Sequence, residues 1–224
     1  MVKEFQTNYQ SSQILQEIQN KIALNLATYK DANAYAIELG QILSDIFKAN
    51  ITADVLPNGK MYFNIGKKVI EPLMINNYEL ISNKAKEVQT ILNKKAKIGI
   101  VGQKADLNQD RIDGLIQKIA NADKFNDVKW LLDEPIVNFS QSIVDDTIRK
   151  NAQFHYDAGL SPKIIRTANS GCCDWCEEIV GTYEYKDVSD TGNNVFRRHK
   201  RCRCEVDYVP GDGRKQNAHT KAWR

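Results

Sequence analysis

The sequence predicts an α+β protein with a mostly helical N-terminal domain and a small, zinc-ribbon-like β module at the C-terminal end. Two observations carry this prediction. Apolar residues recur at helical spacing along the first 158 residues, whereas all five cysteines lie between positions 172 and 204. We therefore divide the chain into a helical domain at 1–160, a Cys/His module at 161–210 and a polar basic tail at 211–224.

The composition narrows the classes of function. A chain of 224 residues, 42% hydrophobic and 26% charged, suffices for one core and a smaller appended module. Its net charge of +3 is too small for the whole molecule to act as a polycation on nucleic acid or acidic lipid. The N-terminus does not show a basic segment followed by an apolar one, and no apolar run approaches the roughly 18 residues of a membrane helix. We expect neither a signal peptide nor a membrane partner.

The first helices follow from apolar periodicity. Ile14, Ile18 and Ile22 lie four residues apart in a polar background, and a second apolar series at 35–46 ends before Asn50. Both patterns predict amphipathic helices, because residues four apart share one face of a helix.

The central region reads as a turn followed by longer helices. Pro57-Asn58-Gly59 with β-forming flanks predicts a short hairpin at 55–63. Pro72 suits the first turn of a long helix that continues toward Gly99. A further helix is predicted through 112–119, with Asp106 or Asn108 as its N-cap. Another is predicted from Pro135 through Phe154, and it ends before Gly159 and Pro162.

Beyond Pro162 the chain becomes β-prone. Short strands are predicted at 164–166, 180–185 and 204–209, from β-forming residues and alternating polarity. We expect the last two to belong to a small hairpin unit of the zinc-ribbon kind.

A metal site is predicted from two matching pairs of ligand residues. Cys173 and Cys176 form a Cys-x-x-Cys pair, and 23 residues further on His199 and Cys202 repeat the same spacing. Two such pairs supply the four donors of a tetrahedral structural zinc ion. Cys204 lies on the same face of an extended strand as Cys202, so either can complete the set, and Cys172 is a weaker spare ligand. The alternatives are buried thiols with a hydrogen-bonded histidine, or a disulfide between the two pairs.

Catalytic zinc chemistry fits the sequence less well. A zinc deaminase needs a His-x-Glu sequence, and the nearest match, His155-Tyr156-Asp157, carries the shorter carboxylate. A catalytic zinc also keeps one coordination position open, whereas this chain offers more than four protein ligands. We therefore expect a closed, structural ion and no enzymatic activity.

Basic charge is concentrated at the C-terminal end. Residues 197–224 carry nine Lys and Arg against three Asp and Glu, a net of +6, while residues 1–196 carry a net of −3. Such a run supplies salt-sensitive, sequence-independent affinity for nucleic acid. The candidate phosphate contacts are Arg197, Arg198, Lys200, Arg201 and Arg203.

The C-terminal motifs resemble a known family. Cys173-Asp174-Trp175-Cys176, a glycine turn at Gly181 and His199-Lys200-Arg201-Cys202-Arg203-Cys204 are similar to phage minor head proteins of the Mu F-like head morphogenesis family. Lys200 stands where that family has proline, and Val180-Gly181 where it has Asp-Gly. The resemblance covers about residues 140 to 210.

The resemblance implies a non-enzymatic minor capsid protein of a phage or prophage, present in few copies near the portal. Its implied partners are portal and capsid proteins and, through the basic residues, DNA. Its implied location is the virion, and the bacterial host cytoplasm during assembly. The alternatives are a zinc-dependent DNA-binding protein and a metal-dependent nuclease or toxin.

Overall fold

The computed structural model describes residues 1–169, 171–190, 194–199 and 201–211, and it confirms a mostly helical α+β fold. The helices are α1 (Val2–Ser11), α2 (Gln13–Ala23), α3 (Tyr29–Asn50), α4 (Phe63–Val69), α5 (Glu71–Lys95), α6 (Gln109–Ala120), α7 (Phe125–Val128), α8 (Glu134–Asp157), α9 (Asp174–Glu178) and α10 (Tyr185–Val188). The strands are β1 (Lys163–Thr167), β2 (Gly181–Glu184) and β3 (Glu205–Val209). Short 3₁₀ turns lie at Ala53–Val55, Pro57–Gly59, Lys129–Leu132 and Asn194–Phe196. None of the helices described is both long and apolar enough to cross a bilayer.

The three longest helices, α3, α5 and α8, pack against one another and form the centre of the body. Their buried faces follow the predicted spacing: Tyr35, Leu39 and Leu43 of α3 are all fully buried. α3 packs tightly against α8 at Gly40. A Cβ atom there would lie 2.8 Å from Ser140 Oγ and 2.9 Å from the Cα of Val137. The absence of a side chain at this position therefore sets the distance between the two helices.

The predicted hairpin at 55–63 is wrong, although its turn is real. Asn58 and Gly59 have φ angles of 53° and 66°, as an Asn-Gly turn requires, but they belong to a 3₁₀ turn. The flanking residues Leu56 and Met61 are buried in the helical body. α4 begins at Phe63, so the chain after the turn is too short for a paired strand and packs into the core instead.

The sheet is antiparallel with the order β2-β1-β3. Ile164 pairs with Tyr183 on one side and with Tyr208 on the other, so β1 is the central strand. This arrangement corrects the predicted hairpin unit, since β2 and β3 both pair with β1 and not with each other. Ile164 and Arg166 of β1 are almost fully buried, and a central strand can satisfy the backbone groups of such residues on both sides.

The sheet lies on the helical body. Ile164, Val206 and Tyr208 belong to the same hydrophobic core as α3, α5 and α8. Tyr208 Oη contacts Nδ1 of the buried His155, and burial lowers the pKa of this histidine. The division into a helical domain and a Cys/His module stays a prediction. The proposed tail lies outside the described residues beyond Gly211.

Replacing Gly40 by Ala tests the close packing of α3 on α8. The added methyl group must displace backbone, so we expect Gly40→Ala to lower the free energy of unfolding by about 1–3 kcal/mol, as overpacking does. Gly114 of α6 is the matched control, because a Cβ there would meet nothing within 4 Å. Gly114→Ala should stabilise the chain by about 0.5–1 kcal/mol through helix propensity. Urea unfolding measures both, and equal stabilisation by the two substitutions would contradict the packing described.

Candidate metal centre

The first pair of ligand residues is held by the start of α9. Cys173 is the N-cap of this short helix, and the backbone N–H of Cys176 donates to the Cys173 carbonyl at 2.8 Å. Gly171, just before the pair, has a φ of 78°, a backbone conformation that glycine adopts without a steric penalty. This tight turn directs both sulfurs toward the same side.

The second pair is also closed by a backbone hydrogen bond, but in a turn of different backbone shape. The N–H of Cys202 donates to the His199 carbonyl at 3.1 Å, and Arg201 within this turn has a φ of 62°. A non-glycine residue in the left-handed region carries a steric cost, so the surrounding contacts must hold the turn in this shape. The equal spacing of the two pairs thus corresponds to two short turns, each closed by a backbone hydrogen bond between the residues of its pair.

The two turns bring their side chains together. His199 Nε2 lies 3.3 Å from Cys173 Sγ and 3.0 Å from Cys176 Sγ, and the Cys176 and Cys202 sulfurs are 3.9 Å apart. A tetrahedral zinc ion has bonds of about 2.3 Å to sulfur and about 2.0 Å to nitrogen. Two sulfur ligands of such an ion lie about 3.8 Å apart, and a sulfur and a nitrogen ligand lie about 3.5 Å apart. The spacing of these donors is therefore compatible with a single metal ion.

All five predicted ligands belong to the cluster. Two groups have donor atoms within 4.8 Å of one another: Cys173 with Cys176 and His199, and Cys176 with Cys202 and Cys204. Cys176 is common to both groups, so an ion bound by four donors draws the two groups together around this sulfur. Both Cys202 and Cys204 remain suitable as the fourth ligand.

The centre is largely enclosed by protein. Cys176, Cys202 and Cys204 are buried, while Cys173 reaches the surface beside a small cavity of about 210 Å³. The ring of Trp175 packs edge-on against the His199 imidazole, with centroids 5.7 Å apart. Trp175 therefore covers the centre rather than the main hydrophobic core.

A buried cation lies next to the sulfurs. Arg166 of β1 is 1% exposed, and its guanidinium donates to the Val195 carbonyl at 2.6 Å and to Cys202 Sγ at 3.5 Å. A divalent ion bound by three thiolates and one neutral imidazole carries one surplus negative charge. The guanidinium of Arg166 is placed to neutralise that charge where water is excluded.

The pKa shifts of the thiols reflect the same crowding. Burial raises the pKa of Cys176, and the nearby sulfurs of Cys204 and Cys202 raise it further. Burial also opposes ionisation of Cys204. Three interactions outweigh burial and lower the pKa of Cys204: a backbone hydrogen bond from Asn169, a hydrogen bond from the Cys176 thiol and the positive charge of Arg166. Several adjacent thiolates repel one another in the absence of a bound cation.

The predicted phosphate contacts do not share one free surface. Arg197 and Arg201 are exposed, and Arg203 is half-buried in an ion pair with Glu134, 3.1 Å from its carboxylate. The side chain of Arg198 is only 4% exposed and forms an ion pair with Asp145. The prediction that Arg198 contacts phosphate is therefore wrong. Its charge is already compensated inside the protein. Lys200 lies outside the described residues.

Sequence reasoning missed the residues that surround the ligands. The sequence places Arg166 in a β-prone segment and α8 on an apolar stripe, and neither pattern predicts a contact with the ligands. The signal on α8 was its polar positions, Glu134, Asn138, Gln141 and Asp145, which repeat at helical spacing.

Replacing Cys176 by Ser should abolish stoichiometric zinc binding, because this sulfur belongs to both donor groups. Cys172 is the matched control: it lies beside the centre but outside both groups, with its thiol 3.8 Å from Glu177. We expect Cys172→Ser to retain the metal. Elemental analysis of the two variants, purified without chelator, measures the difference. Equal zinc contents would show that Cys176 is not a ligand.

Replacing Arg166 by Met keeps the volume of the side chain but removes its charge. We expect Arg166→Met to weaken zinc binding about tenfold, in the range known for groups that support metal ligands. Arg149→Met removes an arginine that packs on Phe196, 4.7 Å from the ring centroid, and should leave affinity unchanged. Competition with a chromophoric chelator measures both affinities. Unchanged binding in Arg166→Met would refute the charge-neutralising role.

Comparison of the chain with protein-family models, with curated proteins and with solved structures gives no match.

Proposed function

We propose that the Cys/His cluster is a structural zinc site that fixes two distant turns of the C-terminal segment. The observation that carries this proposal is the convergence of Cys173, Cys176 and His199 with Cys202, at distances suited to one tetrahedral ion. Structural zinc contributes on the order of 10 kcal/mol to the folding of small metal-binding peptides. A segment with few large apolar residues of its own gains most from such an ion.

A structural role is favoured over a catalytic one. The cavity beside the centre contains neither Asp nor Glu among its described lining residues, so it lacks a carboxylate general base. The cluster also offers five donors where a tetrahedral ion takes four, which favours a coordination shell closed by protein. We propose that the chain is not an enzyme.

For its biological role, we propose that the chain is a minor capsid protein of a phage or prophage that acts in head morphogenesis near the portal. The support is the resemblance of the Cys-x-x-Cys and His-x-x-Cys-Arg-Cys motifs to the Mu F-like family, together with their convergence in space. The proposed partners are portal and capsid proteins. The proposed location is the virion, after assembly in the host cytoplasm.

A zinc-dependent DNA-binding protein is the second candidate. It is favoured by the exposed side chains of Arg197 and Arg201, which lie on either side of His199 and can reach phosphate groups. Binding of this kind weakens as salt rises. The double variant Arg197→Gln with Arg201→Gln would weaken it without removing a predicted metal ligand.

The viral assignment is tested on particles that carry the chain. We expect mass spectrometry of purified virions to detect it in few copies, and Cys176→Ser to reduce its incorporation severalfold while Cys172→Ser does not. The physical reason is that loss of the ion disorders the turns that present the C-terminal surface. Absence of the chain from particles that contain portal protein would refute the assignment. Magnesium-dependent cleavage of DNA, abolished by His199→Ala, would support the nuclease alternative.

A further inference from the structure

One face of α8 carries a polar stripe directed at the second turn of the metal centre. The stripe consists of Glu134, Asn138, Gln141 and Asp145, separated by four, three and four residues, which places them on the same side of the helix. The surrounding positions of α8 are largely apolar and belong to the core. Polar side chains in such a position need partners, and the stripe finds them in residues 198–203.

The two ends of the stripe form ion pairs. Glu134 accepts hydrogen bonds from Arg203 at 3.1 and 3.2 Å. Asp145 pairs with Arg198, whose Nη2 donates to Asp145 Oδ1 at 2.8 Å, and both side chains are almost fully buried. Arg198 in turn donates to the Cys204 carbonyl at 2.8 Å. The charged residues of the stripe therefore hold both flanks of Cys202.

The two middle residues of the stripe bind the backbone of the ligands themselves. Asn138 Nδ2 donates to the His199 carbonyl at 3.1 Å. When the oxygen of the Gln141 amide is placed to accept from Arg198 Nη1 at 3.0 Å, its nitrogen donates to the Cys202 carbonyl at 2.9 Å. The carbonyls of His199, Cys202 and Cys204 are thus all tied, directly or through Arg198, to one helix.

We propose that this face of α8 positions the second turn for metal binding and thereby couples the ion to the helical body. The inference rests on the proposed structural zinc site. A turn that is fixed before the ion arrives loses less conformational entropy on binding, which raises affinity. By linkage, the bound ion stabilises the structure that holds the turn, including α8. Glu134, Asn138, Gln141 and Asp145 act as positioning residues.

The test compares zinc affinity in variants of α8, using a chromophoric chelator as the competitor. Glu134→Gln and Asn138→Ala should each weaken binding about tenfold, as loss of a group supporting a metal ligand does. Both residues are only partly buried, so we expect the variants to fold. Lys150→Gln is the matched control: it breaks an ion pair of α8 with Asp106, 2.7 Å long, that involves none of the described residues of the second turn. Its affinity should equal that of the unaltered chain.

A charge reversal separates positioning from general stability. The double variant Glu134→Arg with Arg203→Glu restores the ion pair with opposite polarity, and it should recover most of the affinity lost in Glu134→Gln. Zinc should also raise the Tm of the unaltered chain, measured on the helical circular dichroism signal, and raise it less in Asn138→Ala.

The zinc affinities of the unaltered chain and its variants distinguish failure of the positioning role from failure of the structural zinc site. Zinc binding to the unaltered chain with no loss in Glu134→Gln and Asn138→Ala would overturn the positioning role and leave the structural site intact. Absence of zinc binding by the unaltered chain would overturn the structural site and this inference together. An equal loss in Lys150→Gln would show that the affinity follows overall stability, which also overturns the positioning role.

Discussion

The C-terminal third of the chain depends on one electrostatic constraint, the crowding of thiols and an imidazole in a mostly buried space. Cys176 lies within 3.9 Å of both the His199 nitrogen and the Cys202 sulfur. Thiolates at this distance repel one another unless a cation lies between them. The proposed divalent ion would remove this repulsion and join two turns that are far apart in the sequence. Such an ion would stabilise this small segment, as the larger apolar core stabilises the helical body.

Two elements of the fold support the centre from different sides. β1 supplies Arg166, a buried guanidinium whose position suits a site with one surplus negative charge. α8 supplies a polar stripe that holds the carbonyls of the second turn. Because β1 and α8 both belong to the main core, the metal centre is attached to the rest of the protein and not suspended on a flexible loop. Such attachment is consistent with the proposed role in a phage head, in which this segment presents a fixed surface to other proteins.

The sequence predicts local features well and long-range pairings poorly. Apolar spacing locates α2, α3, α5 and α8 because helix faces repeat every three to four residues. The equal spacing of the ligand pairs locates the cluster because a short turn determines where two side chains point. By contrast, the position of β1 between β2 and β3 depends on contacts across tens of residues. The burial of Arg198 depends in the same way on Asp145, 53 positions earlier, and a basic run does not reveal which of its members is already paired.

X-ray absorption at the zinc K-edge, on the full chain loaded with one equivalent of Zn²⁺, shows whether the cysteines and His199 hold the ion, because it counts the atoms bonded to zinc. We expect about three sulfur atoms at about 2.3 Å and one nitrogen at about 2.0 Å. A shell of oxygen and nitrogen alone would place the ion elsewhere on the surface. That result would contradict a centre built from the cysteines and His199.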